Sequence, residues 1–199
     1  LLIDWRGDGE HIKMTFGQAV RLRELDQYLK PGLTYPLVTV KGMNVRVLPA
    51  DCVFDNGSPA LFVPARDSRL AALGILNSRL AELYVRCFTS SRHWQVGYVR
   101  KLPWPTSRIE QHKATLTRHT ERAVQLVREV LRSVEPTAEF LLPQVFSSVC
   151  SINSIASAFD HARTVFEDAR REFKSSELIL DDTAKACYDL LDNEWAVVE

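Results

Sequence analysis

The segment 67–105 constrains the fold more than any other part of this sequence. Its first half repeats leucines at steps of three and four residues, which predicts a buried helix over 67–88. A polar loop at 90–93 follows and contains no apolar side chain to bury. The run Trp94–Val99 predicts a short strand. That strand must stop at Pro103-Trp104-Pro105, because proline has no N–H to donate to a neighbouring strand.

Short strands are also predicted ahead of this helix, at 33–41, 45–48 and 60–63. Gly42-Met43-Asn44 separates the first two and is expected to form a hairpin turn between them. The strongest turn signal in the chain, at 55–59, precedes the third. Together with the strand after the helix, these segments predict a small, mostly antiparallel sheet of about four strands.

The second half of the sequence contains helix patterns and no comparable strand pattern. The predicted helices of the chain are 17–30, 106–134, 152–174 and 176–195, in addition to the buried one. The expected fold class is therefore α+β, with a small mostly antiparallel sheet packed on a buried helix and followed by a helical region. We divide it into an α+β domain at 1–105 and a helical region at 106–199.

Charge is distributed unevenly along a chain whose formal net charge is zero. Residues 1–105 carry 14 Lys and Arg against 9 Asp and Glu, whereas residues 106–199 carry 11 against 16. This split places any contact with a polyanion in the first half. Without an apolar run of 18 residues or a charged-then-apolar leader, the chain is expected to be soluble, cytoplasmic and without membrane contact. Its start at Leu1, without Met, suggests a piece of a longer protein.

The sequence contains no recognisable catalytic or metal-binding motif. Nucleophile-elbow, metalloprotease and phosphate-binding glycine motifs are all missing, and the four cysteines are too far apart to form a Cys-x-x-Cys pair. His112 and His119 are seven residues apart on one predicted helix, about 10 Å along its axis, and are interpreted as surface histidines. We expect no catalytic, cofactor-binding or metal-binding residue in this chain.

Basic and amide side chains gather around the predicted turns of the first half. Arg, Asn and Gln form paired hydrogen bonds with base edges, and Lys mainly contacts phosphate. Trp94 fits either a core position or stacking on a base. The candidate DNA-binding residues are Lys41, Asn44, Arg46, Arg66, Arg69, Arg92, His93, Gln95, Arg100 and Lys101.

A series of short motifs lies, in order along the chain, at 5–13, 30–35, 45–49, 54–55, 73–78, 95–99 and 101–105. The series resembles the region that follows the catalytic domain in PglX-type adenine-specific DNA methyltransferases of BREX phage-defence systems. This family is related to the Eco57I- and TaqI-like enzymes. The motif at 135–140 resembles a further family signature, Glu-Thr-Ser-x-x-Phe, but departs from it at Pro136 and Thr137. Together the matching segments cover residues 1–142.

The resemblance implies transfer of a methyl group from S-adenosylmethionine to adenine N6 in double-stranded DNA. In this family the cofactor site and the catalytic Asn-Pro-Pro-Tyr motif lie upstream of the matched region, and this sequence has neither. Asn56-Gly57-Ser58-Pro59 is a turn and differs from that motif. The chain alone is therefore expected to be inactive and to recognise the target, since a base that is flipped out for chemistry needs a second domain to hold the duplex.

A second hypothesis makes the chain an interaction module for other subunits of a defence complex. In that case the acidic helical half docks partner proteins and the β half supports it. The charge split is compatible with both hypotheses. Salt dependence separates them, because phosphate contacts weaken steeply with salt and an apolar helix interface does not.

Overall fold

The computed structural model describes residues 5–17, 25–40, 42–89, 92–135, 137, 140–144, 146, 154–196 and 198. Its helices are α1 (Arg6–Phe16), α2 (Arg66–Leu76), α3 (Arg79–Arg86), α4 (Val96–Val99), α5 (Thr106–Leu131), α6 (Ile155–Tyr188) and α7 (Asp192–Trp195). The strands are β1 (Gly32–Thr34), β2 (Arg46–Leu48) and β3 (Ala60–Leu61). Of the predicted helix at 17–30, residues 25–27 form a 3₁₀ turn, and residues 18–24 lie outside the described part.

The three strands form an antiparallel sheet in the order β2-β1-β3, which confirms the α+β class. Leu33 lies between Val47 on one side and Leu61 on the other. The hairpin prediction at Gly42–Asn44 is wrong, because β1 already ends at Thr34. Residues 37–39 of this connection pair with the segment 92–94 after α3, so the connection is a loop where a tight turn was expected.

The predicted single helix over 67–88 is wrong, because it is broken into α2 and α3 at Asn77-Ser78. The Ser78 hydroxyl donates to the carbonyl of Ile75 at 2.7 Å and accepts from the N–H of Ala81 at 3.3 Å. One side chain thus ends the first helix and caps the second. The leucine spacing continues across the break, which explains why the pattern predicts one helix.

Helix α2 belongs to both hydrophobic cores of the protein. Its residues 70–76 are all buried. Leu73 and Leu76 face a core formed with the sheet, α3 and Trp94, while Ile75 faces a second core formed with α5 and α6. Each large aliphatic side chain buried here stabilises the fold by about 1.5–3 kcal/mol. The sheet and the helical half are therefore connected through one helix.

Helices α5 and α6 lie antiparallel and form the helical half. The Tyr188 hydroxyl donates to the carbonyl of Pro103 at 2.8 Å near one end of the pair, and Arg122 pairs with Glu172 further along. The prediction of two helices at 152–174 and 176–195 is wrong, since α6 continues from Ile155 to Tyr188. The division into 1–105 and 106–199 stays a prediction, although α2 packs on both α5 and α6.

The strand predicted at Trp94–Val99 is also wrong, because α4 occupies Val96–Val99. Trp94 and Val99 are buried, whereas Val96 is exposed. A strand would place Trp94, Val96 and Tyr98 on one face. A helical turn instead directs Val99 into the core with Trp94, so tertiary burial decides against the period-2 pattern.

Asp181 joins α6 to the start of α3, and its titration supplies a test of the fold. Its carboxylate accepts from the backbone N–H of Arg79 at 3.0 Å and contacts the Arg79 guanidinium at 3.2 Å. Burial raises the pKa of Asp181 above its ordinary value of 3.8, and the contacts with Arg79 lower it by less. The folded state therefore holds this proton more tightly than the unfolded state does.

We expect wild type to lose stability relative to Asp181→Asn as pH rises above 3.8 through the folded-state pKa of Asp181. The asparagine does not titrate and keeps an oxygen for the Arg79 N–H. Urea unfolding of both proteins at several pH values measures the difference. Glu167→Gln, at an exposed position of α6, is the control. A stability difference between wild type and Asp181→Asn that grows with pH would contradict the expectation.

Candidate nucleic-acid interface

Two extended segments, 37–39 and 92–94, pair beside the sheet and build the candidate surface. The N–H of Thr39 donates to the carbonyl of Arg92 at 3.0 Å, and the N–H of Trp94 donates to the carbonyl of Leu37 at 2.7 Å. Val38 and His93 are the bridge partners between them. The pairing fixes the backbone around the exposed Arg92 and His93 side chains and connects them to the loop 35–45.

Asn44 is held on the same loop in a left-handed backbone conformation, with φ of 49°. Asparagine tolerates this conformation better than most residues. Its side-chain amide donates to the Thr39 hydroxyl at 3.1 Å. The structure thus brings Asn44 and Arg92 into hydrogen bonds with the same residue, Thr39, although they are 48 positions apart in the sequence.

Trp94 is a core residue, with 1% of its surface exposed. The Arg86 guanidinium lies 5.3 Å from the centre of the Trp94 ring and forms an ion pair with Glu82 at 2.6 Å. The indole Nε1 finds no hydrogen-bond partner within the described residues. Of the two interpretations of Trp94, the structure supports the core position and leaves no ring face free for a base.

Arg100 and Lys101 follow α4 and extend the basic surface. The Lys101 ammonium lies 4.9 Å from the centre of the Phe88 ring and 6.0 Å from that of Tyr98. Burial raises the pKa of Tyr35 to about 12, and the charge of the nearby Arg100 lowers it by less. Phe88 and Tyr98 are surface features that sequence reasoning missed. Phe88 follows the leucine pattern of a buried helix but emerges after α3 has ended.

Arg66 and Arg69 lie at the other end of α2, about 16 and 12 Å along its axis from Asn77. Arg66 forms ion pairs with Asp67 and Glu121, and Arg69 donates to the carbonyls of Val63 and Pro64. The structure therefore separates these two arginines from the Asn44–Arg92 surface and gives both of them partners within the chain.

The remaining candidates divide according to what the structure describes. Arg46 is exposed at the start of β2, and Gln95 is exposed immediately before α4. Lys41 lies outside the described residues. Within the described part of the chain, Arg92, Arg100 and Lys101 form no ion pair with a carboxylate. Arg92, Arg100 and Lys101 lie within ten positions of one another in the sequence, and cations without carboxylate partners can donate hydrogen bonds to phosphate oxygens at little electrostatic cost.

Among the residues that the structure describes, no group of three or more His, Cys, Asp and Glu side chains is placed to hold a metal ion. His119 contacts Arg118 at 3.1 Å. Burial and then the charge of Arg118 lower the pKa of His119, which favours the neutral ring. None of the helices in the described residues is both long and apolar enough to cross a membrane.

Comparison with known proteins finds similarity to an adenine-specific methyltransferase. No protein-family model matches the chain. Over 104 residues, 51% of this chain, the sequence is 27% identical to the adenine-specific methyltransferase BrxX of Escherichia coli O9:H4 (strain HS). The matched region amounts to 8% of the length of that protein. The similarity supports a distant relationship to BREX-type adenine methyltransferases.

Proposed function

We propose that this chain recognises target DNA for an adenine-specific methyltransferase of a cytoplasmic phage-defence or restriction-modification system. S-adenosylmethionine and the catalytic residues are supplied by another part of the parent protein, so the chain alone transfers no methyl group. The similarity to BrxX supports the class of parent protein. The observation that carries the proposal is that Arg92, in the paired segment 92–94, and Arg100 and Lys101, which follow it in the chain, have no carboxylate partner among the described residues.

The proposed DNA-facing residues have separate roles. Arg92, Arg100 and Lys101 contact phosphates, and Asn44 and Gln95 read base edges because their amides both donate and accept hydrogen bonds. His93 and Arg46 are further candidates at this surface, and Lys41, outside the described residues, stays a candidate from the sequence. Arg66 and Arg69, at the far end of α2, would reach only the phosphates of a longer duplex.

The test is binding of the chain to fluorescent mixed-sequence duplex DNA at about 50 and 200 mM salt. Wild type is expected to bind more weakly at the higher salt. Arg92→Ala/Lys101→Ala is expected to reduce the slope of log affinity against log salt by about 1.8, because each phosphate contact contributes about 0.9. Fluorescence anisotropy measures both quantities.

Arg163→Ala/Arg171→Ala is the matched control, since it also removes two positive charges but from exposed positions on α6. It should leave the salt slope nearly unchanged. Equal losses for the two double variants would show a response to net charge alone and would contradict a localised DNA surface. Absence of wild-type binding at low salt would contradict DNA recognition by this chain.

The second hypothesis, a module that docks subunits of the same defence complex, is favoured by a different observation. Exposed apolar side chains gather near the end of the α5–α6 pair that lies away from Tyr188. They are Leu141, Leu142, Phe146, Ile155 and Phe159. Such residues on an acidic helical half suit a protein interface, whose affinity would depend little on salt.

A further inference from the structure

A groove of about 1030 Å³ opens on the side of the molecule where the two halves meet. One wall is formed by the segment 42–47 at the end of the loop between β1 and β2. The opposite wall is formed by α5 and α6, and the corner between α2 and α3 closes the base. The groove is therefore built from both halves, and it shares Asn44 and Arg46 with the surface proposed for DNA.

The helical wall of the groove is apolar along two turns. Ala123, Val127 and Leu131 recur every four residues on α5 and span about 12 Å. Phe173 and Leu178 of α6 line the same wall. Val127 is 42% exposed and Leu178 50% exposed, so the described residues leave this wall uncovered. Such a stripe matches the apolar face of a partner helix, whose own side chains repeat every three to four residues.

The charges around the groove are unbalanced in favour of cations. Two arginines are neutralised by carboxylates within the groove, in the pairs Arg79–Asp181 and Arg86–Glu82. Three other cations that line it, Arg46, Arg128 and Lys174, form no ion pair within the described residues.

Glu177 also lines the groove without an ion pair to a described residue. Burial and then the charge of Asp181 raise the pKa of Glu177, and the charges of Lys174 and Arg79 oppose this shift. Three cations without an ion pair to a described residue thus face one carboxylate, and the groove favours a negatively charged occupant. The excess of cations stands out because residues 106–199 as a whole are acidic.

We propose that this groove binds an amphipathic, acidic helix of a partner protein. Leucine-like side chains of the helix pack on Val127, Leu131 and Leu178, and carboxylates on its borders pair with Arg128, Lys174 and Arg46. DNA is a poor occupant, because the apolar helical wall gives no compensation for the desolvation of phosphates. The inference is independent of the proposed DNA recognition.

A designed peptide tests the proposal on the full chain. The probe is a fluorescein-labelled helix of about 18 residues, with leucines on one face and glutamates on both borders. A matched peptide replaces every glutamate with lysine. We expect the acidic peptide to bind at least about tenfold more tightly than the basic one, measured by fluorescence anisotropy.

Two double variants locate the binding site. Val127→Ser/Leu178→Ser removes exposed apolar contacts and should weaken binding of the acidic peptide by about tenfold or more. Arg128→Glu/Lys174→Glu should reverse the preference between the two peptides. Leu191→Ser, at a position that is 64% exposed and does not line the groove, is the control and should bind as wild type does. Circular dichroism checks that each variant is folded.

Three results would overturn the inference. They are equal affinity for the two peptides, no binding of the acidic peptide at about 1 mM, and binding that Val127→Ser/Leu178→Ser leaves unchanged. A dimer of the chain that this variant dissociates would also overturn it, because the occupant would then be a second copy. Arg92→Ala/Lys101→Ala should keep full peptide affinity. Failure of the proposed DNA recognition is therefore distinguishable from failure of the proposed peptide site.

Discussion

Replacement of Gly74 by valine is expected to lower the free energy of unfolding by about 3 kcal/mol. Gly74 lies on α2 where this helix crosses α5 and α6. A Cβ atom placed on Gly74 would lie 2.5 Å from the Thr120 hydroxyl oxygen and 3.0 Å from a methyl carbon of Leu180. Both distances are shorter than van der Waals contact, so the helices must move apart and the core around Ile75 must loosen. Urea unfolding measures the loss.

Smaller substitutions at the same crossing separate the steric effect from helix propensity. Alanine stabilises a helix by about 1 kcal/mol relative to glycine. Gly74→Ala therefore gains helix propensity but introduces the clash with Thr120, and the two effects oppose each other. The Thr120 hydroxyl is buried and has no partner within the described residues, so Thr120→Ala alone should cost little. The double variant Gly74→Ala/Thr120→Ala should be more stable than the sum of the two single changes in the free energy of unfolding predicts.

Gly97→Ala is the control for Gly74. Gly97 lies in α4, and nothing lies within 4 Å of the position that its Cβ would take. Its substitution should be neutral or slightly stabilising. A Gly74→Val protein with wild-type stability would show that the three helices are not closely packed at this crossing.

Replacement of Asn77 by alanine is expected to destabilise the protein by about 2–3 kcal/mol. The Asn77 side-chain oxygen accepts from the N–H of Val45 at 2.9 Å, and its amide nitrogen donates to the Val45 carbonyl at 2.9 Å. The same nitrogen donates to the Leu73 carbonyl at 3.1 Å. Val45 is buried, so removal of Asn77 leaves its backbone groups without partners.

Aspartate at this position distinguishes hydrogen bonding from packing. Asn77→Asp keeps the size of the side chain and the acceptor for the Val45 N–H. It loses the donor and places a charged oxygen beside two carbonyls, so it should be no more stable than Asn77→Ala. Asn193→Ala, at an exposed position on α7, is the matched control and should have little effect. Wild-type stability of Asn77→Asp would show that the amide donor contributes nothing.

Asn77 also connects stability to the proposed function. Val45 directly follows Asn44, so the two hydrogen bonds between Asn77 and Val45 fix the end of the loop that carries the DNA-facing residues. Under conditions where Asn77→Ala remains folded, we expect its DNA affinity to fall while the salt slope stays close to that of wild type, because no phosphate contact is removed. The anisotropy titration proposed for Arg92 and Lys101 measures this difference.

The sequence predicted which kinds of residue form the candidate surface, but only partly which individual residues belong to it. Uneven charge along the chain and the loop at 90–93 pointed to Arg92, Arg100 and Lys101. The sequence could not show that Arg66 pairs with Glu121, because the two residues are 55 positions apart and meet only when α2 packs on α5. It also could not show that Thr39 forms hydrogen bonds with both Asn44 and Arg92.

The sequence by itself determined the α+β class, the burial of the segment around Leu73 and the long helix that begins at Thr106, because hydrophobic spacing and turn residues act over a few neighbours. Tertiary structure decided where helices break and which extended segments pair. The leucine spacing runs through Ser78 without a gap, yet the chain turns there because Asn77 bonds Val45 and Asp181 bonds Arg79. Trp94–Val99 alternates like a strand, yet burial of Val99 beside Trp94 requires a helical turn. Contacts between residues far apart in the chain outweigh local preferences of a few tenths of a kcal/mol to about 1 kcal/mol per residue, and local patterns do not encode them.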